Sequence, residues 1–249
     1  MLFRSNPEFY DHILYPEYDL PDLIILPSVW LQEQISNHAL SRGTKVIQLH
    51  HPVDTKEIEF IERSQPIPFH IAGKPAHEDR NGTWDFMQAV PDGTIVTQSE
   101  DLAYHIRRQY RFSTVYTEVS DNKTMYQLGN LLVFPRKYGG NCLPLNEALA
   151  HGVPVIMPNI SPNNHLLPQE WLVNTEFEGF FEPRMRVDYY KSDINSIRER
   201  IDWFNNVDFA EQSRKARAIA ETISWNALLK VNDPAKFKLG PMLGVFTDV

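Results

Sequence analysis

A chain of 249 residues with 42% hydrophobic and 22% charged side chains has the make-up of a folded, water-soluble protein of one large domain or two small ones, which excludes a disordered or fibrous polymer. Its formal net charge of -8 excludes a general nucleic-acid coat, because phosphate binding needs a concentrated basic surface. A single cysteine, Cys142, excludes an internal disulfide and a multi-cysteine zinc site, and points to a reducing compartment.

From Met1 to Pro7 there is no apolar core of a secretion signal, and no apolar run nears the roughly 20 residues of a membrane helix, so a cytoplasmic location without a membrane span is expected. Leu23-Ile24-Ile25-Leu26, stopped by Pro27, predicts a strand, after which Ser28 can cap a helix carrying Trp30, Leu31 and Ile35. Lys45 to Leu49 predicts a second strand. Pro52, Pro66 and Pro68 flank an acidic stretch around Glu57 to Arg63 that reads as helical and as a connection between domains.

Pro68 to Ala72 predicts a strand ended by Gly73, followed by a polar loop and a helix over Thr83 to Val90. Three further units follow. Thr94 to Thr97 leads to a helix from Ser99 to Gln109, Ser113 to Glu118 to a helix near Asn122 to Leu128, and Asn130 to Phe134 to a loop at Tyr138. A helix over Leu145 to His151 then feeds a strand over Val153 to Met157. Apolar spacing predicts helices from Ser192 to Asn205 and from Asp208 to Ile223, whereas Val231 to Val249 carries no clear pattern. Such alternation predicts an α/β fold with a parallel sheet, and the lack of an internal repeat excludes a solenoid.

In an open parallel sheet, ligands bind outside the carboxyl ends of the strands, where helix amino-termini supply unpaired N–H groups for anions. The loop from Pro135 to Cys142 occupies such a place, with Leu143-Pro144-Leu145-Asn146-Glu147 opening the next helix. Gly139 and Gly140 let backbone approach a phosphate closely, although a tight strand-to-helix turn would use the same glycines. Glu147, one turn into the helix, can accept hydrogen bonds from two ribose hydroxyls, or be a solvated helix glutamate.

The run Tyr138-Gly-Gly-Asn-Cys-Leu-Pro-Leu-Asn-Glu147-Ala-Leu-Ala-His-Gly-Val-Pro-Val155 resembles the donor-site motif of retaining GT-B glycosyltransferases of family four. That motif carries two glutamates. Glu147 falls on the second, which holds the nucleotide ribose. Gly139 falls on the first, which contacts the donor sugar or takes part in the displacement, so the sequence departs from the pattern there. Ile71-Ala72-Gly73-Lys74-Pro75 resembles the family's Val-Gly-Arg strand end, and Arg80-Asn81-Gly82 the Lys-Gly or Lys-Asn that follows. The resemblance implies that Lys74 and Arg80 bracket the donor diphosphate as catalytic cations, with Gly73, Arg136, Gly139, Gly140, Asn141, Cys142, Leu143 and Glu147 binding the donor. Asp22 to Ser28 is similar to the last strand of the amino-terminal domain, His51-Pro52-Val53-Asp54 to the interdomain segment, and Ser224-Trp225 to the pair before the terminal crossover helix.

What the resemblance implies is a GT-B type α/β fold. Residues 1–65 would form an incomplete amino-terminal segment, 66–225 a Rossmann-like nucleotide-sugar-binding domain, and 226–249 a tail or crossover helix. It also implies hexosyl transfer from a nucleotide diphosphate sugar, with retention and without a metal or other cofactor. Most of the acceptor domain is missing, so a partner chain or a second copy is expected to complete the acceptor side. Two rivals stand beside this reading: a catalytically incomplete nucleotide-sugar-binding subunit, and a phage-type enzyme acting on modified DNA bases, against which the acidic composition weighs.

Other residues carry blander expectations. Cys142 reads as a packing residue. His50 and His51 point to opposite faces of a strand and do not suit a metal. Arg136 and Lys137 either neutralise donor phosphate or form a solvated pair, and Trp84, Phe86, Trp203 and Phe204 read as core or helix-packing side chains.

Overall fold

The computed structural model describes residues 22–30, 32–33, 42–74, 77–110, 113–119, 121–182 and 186–231. Leu31, Ile35, Pro75 and the tail beyond Val231 therefore lie outside the described residues. Strands β1 (Leu23–Leu26) and β2 (Lys45–Gln48) pair in parallel as a small sheet of their own. The main sheet has six strands: β3 (Pro68–Gly73), β4 (Thr94–Thr97), β5 (Thr114–Tyr116), β6 (Leu131–Val133), β7 (Val155–Pro158) and β8 (Leu172–Val173). Their order is β5-β4-β3-β6-β7-β8 and every pairing is parallel. Phe69, Ile95, Leu131, Leu132, Val133, Val155 and Met157 are completely buried, as strands covered on both faces require.

The chain starts this sheet in its middle, moves out through β4 to β5, and returns to β6 on the other side of β3. Such a reversal opens a crevice at the carboxyl ends of the two central strands. Around the sheet run α1 (Thr83–Ala89), α2 (Glu100–Gln109), the short α3 (Asn122–Met125), α4 (Leu143–Ala150), α5 (Ile194–Asn205), α6 (Phe209–Thr222) and α7 (Trp225–Val231). Ser99, Asp193 and Asp208 cap α2, α5 and α6, each side chain accepting from a first-turn amide. Phe86 and Phe204 are fully buried, and Trp84 and Trp203 pack at the edge of the same core, as read from their spacing.

Two expectations fail. Glu57 to Arg63 is not helical. The Asp54 carboxylate accepts from Lys56 N and Glu57 N and makes a turn, after which side chains from elsewhere take the groups a helix would have used. Arg63 N donates to Ser213 Oγ (2.9 Å), and Arg217 donates to Ile58 O (3.0 Å), Ala150 O (2.7 Å) and Thr55 O. The stretch is thus stapled to α6 as an irregular strap, and Val53 forms a bridge with Ser224 just before α7.

The second difference is the region between Met157 and Ser192, for which no element was expected. Besides β8 it contains an antiparallel hairpin of β9 (Thr175–Phe181) and β10 (Val187–Ser192). Its other contacts reach the small sheet: Ile24, Leu26 and Trp30 share a second apolar cluster with Tyr138 and Val187, flanked by Phe181 and Tyr189.

Candidate functional site

Two loops leave the central strands side by side. After β3, the Gly73 carbonyl accepts from Thr97 Oγ1 (2.8 Å) and Gln98 N (3.1 Å), and Asn81 Nδ2 donates to Ala72 O (2.8 Å), which fixes the strand end. Lys74 is exposed and, with Arg80 and Asn81, lines a small cavity of about 160 Å³. Gly82 starts α1 with φ at 71°, and a Cβ there would stand 2.0 Å from Pro135 O. Only glycine lets this loop lie directly on the loop that follows β6. A hydrogen bond from Lys137 N to Arg80 O (2.8 Å) closes the two together.

The second loop corrects the solvated-pair reading of Arg136 and Lys137, which are 7% and 8% exposed. The Lys137 ammonium donates to Glu178 Oε2 on β9 at 2.7 Å. Burial alone would lower its pKa, but the hydrogen bond to Glu178 and the charges of Asp85, Glu178 and Asp79 prevail and raise it. Lys137 is thereby spent on holding the hairpin to the loop. Arg136 Nη1 donates to Asn141 O at 2.8 Å and so bends the guanidinium back over its own loop.

At Gly139, where φ is 107°, an added Cβ would lie 2.4 Å from Arg80 Nη2 and 2.8 Å from Arg136 Nη2. Two guanidiniums from different loops thus converge on one bare Cα. Arg80 also lies over the Tyr138 ring, 5.2 Å from its centroid. Like charges brought this close repel, and an anion between them would be held by both planar forks.

The buried Gly140 leads through Asn141 to α4, for which Cys142 is the N-cap without a side-chain hydrogen bond. Cys142 packs in the core and Leu143 exposes its side chain at the helix start. With no side-chain cap on it, this helix end carries the positive end of its dipole at the carboxyl end of the loop, although Pro144 has no N–H and Asn146 N already donates to Cys142 O (3.3 Å). One turn on, half-buried Glu147 accepts from Tyr126 Oη at 2.8 Å. Burial raises the Glu147 pKa, and the tyrosine hydrogen bond acts the other way. On the far side, a cavity of about 660 Å³ opens at the ends of β4 and β5, lined by Thr97, Gln98, Glu118, Val119 and Met125 among others.

The structure therefore gathers Gly73, Lys74, Arg80, Arg136, Gly139, Gly140, Asn141, Cys142, Leu143 and Glu147 around the two loops and the start of α4. Sequence reasoning missed Tyr126, the donor to Glu147, and Glu178, the partner of Lys137. Neither has a local signal, since each meets its partner through tertiary packing. Among the described residues no three His, Cys, Asp or Glu side chains form a group that could hold a metal ion, and no helix is long and apolar enough to cross a membrane.

Compared by sequence, the chain matches no family model and no curated protein. Compared by structure, it is similar to the pneumococcal O-GlcNAc transferase GtfA solved with UDP and GlcNAc, at 13% identity and a TM-score of 0.60, over 86% of this chain and 44% of that one. A glycosyltransferase from Rickettsia africae gives 11% identity and a TM-score of 0.61, over 86% and 62%. Sucrose-phosphate synthase from Thermosynechococcus elongatus gives 14% and 0.59, over 87% and 58%. The chain thus spans about half the length of these proteins. With a parallel six-stranded sheet reversing at β3 and a small second sheet beside it, the chain has a GT-B glycosyltransferase fold, covered in part.

Proposed function

We propose that the chain binds a nucleotide diphosphate sugar and transfers the sugar, a hexose, to an acceptor with retention of anomeric configuration. The observation that carries this reading is the convergence of Arg80 and Arg136 on Gly139, beside the uncapped start of α4 and at the reversal of the sheet. In this arrangement the base enters the cavity at β4 and β5, Glu147 takes the ribose hydroxyls, and the α4 amides with Lys74, Arg80 and Arg136 take the diphosphate. As the bond from the anomeric carbon to the diphosphate oxygen breaks, its electron pair goes to that oxygen, the acceptor oxygen bonds to the anomeric carbon on the same face and its proton passes to the leaving diphosphate, and these fixed cations and dipoles stabilise the charge that develops. Chain beyond this fold, a partner or a second copy, supplies the rest of the acceptor side, and the location is cytoplasmic.

Calorimetric titration with a panel of uridine, guanosine and adenosine diphosphate sugars tests the reading. Micromolar binding is expected for one base, and Glu147→Ala and Lys74→Ala should each weaken it about tenfold or more, the loss typical of one charge-assisted hydrogen bond of about 1.5 kcal/mol or above. Absence of binding to the whole panel would overturn it.

Glu147 accepts ribose hydroxyls best as a carboxylate, and burial raises its pKa. Affinity should therefore fall as pH drops through that raised value. Tyr126→Phe removes the hydrogen bond that holds the pKa down, so the fall should begin at higher pH than in the parent protein. Titrations at several pH values on both proteins check this, and identical profiles would separate Glu147 from the ribose.

A further inference from the structure

The cavity of about 660 Å³ at the ends of β4 and β5 carries a polar edge of its own. Parallel pairing of the two strands ends with Val96 opposite Tyr116, so Gln98 and Glu118 each stand two residues beyond it, on neighbouring strand ends. Both line the cavity, together with Val96, Val119, Asp121 and Met125 among others. We propose that this cavity selects guanine, with Glu118 as the residue that determines the base, so that the donor is a guanosine diphosphate sugar. The inference rests on the donor reading for the cavity's role, and on the cavity's own chemistry for the choice of base.

The other polar groups of the cavity already have partners. Asp121 holds the start of α3, accepting from Thr124 N (2.7 Å) and Thr124 Oγ1 (3.1 Å). Thr97 Oγ1 donates to Gly73 O (2.8 Å) and accepts from Ser99 N (3.1 Å). Among the described residues, by contrast, neither the Gln98 side-chain amide nor the Glu118 carboxylate has a hydrogen-bond or ion-pair partner, and none of those lining the cavity is cationic. Two groups on adjacent strand ends are thus left to read the edge of a ligand, a carboxylate that accepts and an amide that can donate.

Base chemistry decides among the candidates. Guanine carries two adjacent donors, N1–H and the 2-amino group, and a carboxylate takes both at once. Uracil sets its single N3–H between two carbonyl oxygens, and adenine and cytosine set an amino group beside a bare ring nitrogen. Each of those acceptors would face a carboxylate oxygen and be repelled by it. The Gln98 amide, next to Glu118, matches the remaining guanine acceptor, O6. Val96, Val119 and Met125 supply apolar contact for the ring faces, and the volume, within the range of about 300 to 1,000 Å³ usual for small-molecule sites, has room for a purine.

Calorimetric titration of the full chain with GDP, IDP, ADP, UDP and CDP tests the proposal. GDP should bind about tenfold tighter or more than ADP, UDP and CDP, as a site built around a bidentate contact rejects bases that cannot make it. IDP, which lacks only the 2-amino group, should bind about tenfold weaker than GDP, because one of the two bonds to the carboxylate is gone. In Glu118→Gln the affinity for GDP should fall about tenfold while that for UDP does not fall, which also reports an intact fold. Preference for UDP, ADP or CDP, with binding still weakened by Glu147→Ala, would overturn the guanine assignment and leave the donor reading standing. Equal affinity for GDP and IDP in the unaltered chain, a GDP preference untouched by Glu118→Gln, or loss of UDP together with GDP in that variant would each remove Glu118 from base selection. A chain that binds none of the five would overturn the donor reading itself, and this inference with it.

Discussion

On the proposed donor reading, Gly139→Glu is expected to weaken nucleotide-sugar binding more than 100-fold. The substitution restores the residue type that the resembled motif carries at this place, so the motif alone would forecast a gain. Local electrostatics forecast the reverse. A carboxylate growing from Cα of residue 139 enters the space between Arg80 Nη2 and Arg136 Nη2, at 2.4 and 2.8 Å from the Cβ position, and pairs with both. It would fill from within the anion site that the diphosphate needs. Two charge-assisted hydrogen bonds of about 1.5–3 kcal/mol each are then lost to the donor, which is why the effect exceeds two decades. A backbone φ of 107° adds strain for any side chain, so Gly139→Ala is the control. Alanine pushes the two flexible guanidiniums aside without neutralising them and should weaken binding about tenfold or less. Calorimetry on the three proteins decides the matter. Tighter binding by the glutamate variant would mean that the arginines serve the loop's own architecture and that the site had lost a sugar-contacting acid.

What the sequence displayed and what it hid follow from the range of the interactions. The repeating units of the main sheet were legible because their short apolar runs are punctuated by Gly, Pro and cap residues such as Ser99 and Asp208, all local signals. The site loops were legible for the same reason: Gly73 to Arg80 and Tyr138 to Glu147 are contiguous motifs at strand ends. The strap from Glu57 to Arg63 differs from the helix its acidic spacing predicts because partners far along the chain hold it: Arg217 donates to Ile58 O, and Ser213 Oγ accepts from Arg63 N. In β9, Glu176 and Glu178 alternate with Phe177 and Gly179, a period of two that carried a strand signal. The charges and the central glycine concealed it, and it is the Lys137–Glu178 ion pair, together with Phe181 against Tyr138 at 5.0 Å, that sets a charged strand against a buried loop. The departure at Gly139 was visible, but its meaning was not, because it depends on where two arginines from separate loops end.

His70 is expected to cost the protein stability as pH falls from 6.5 to about 4. This residue lies in the middle of β3 with no exposed surface, stacked on Phe86 at 5.0 Å. Its Nδ1 donates to Val133 O at 2.9 Å, because a carbonyl can only accept, which leaves Nε2 to accept from Thr83 Oγ1 at 3.1 Å. The neutral ring thus ties β3 to β6 and to the start of α1, the three elements that frame the crevice. Burial lowers its pKa from 6.5 to about 4, with the Val133 hydrogen bond opposing. An imidazole depressed in this way stays neutral in the folded chain while the unfolded chain takes up the proton. The contribution of His70 is therefore flat well above pH 6.5, falls between 6.5 and about 4, and is lower by about 3 kcal/mol at the acid end. His151, also lowered by burial, acts in the same direction. Asp79, Asp85 and Glu147, whose pKa values burial raises, act in the opposite one. The comparison that isolates His70 is His70→Gln, whose amide can keep a donor toward Val133 O but does not titrate. Urea unfolding of both proteins across this range should show the variant less stable at pH 7.5 and the gap closing by about 3 kcal/mol toward pH 4. A gap that stays constant with pH would mean that the ring titrates alike in the folded and unfolded chain, and that burial does not hold it neutral, whereas a gap that widens as pH falls through 6.5 would mean a ring protonated in the folded state.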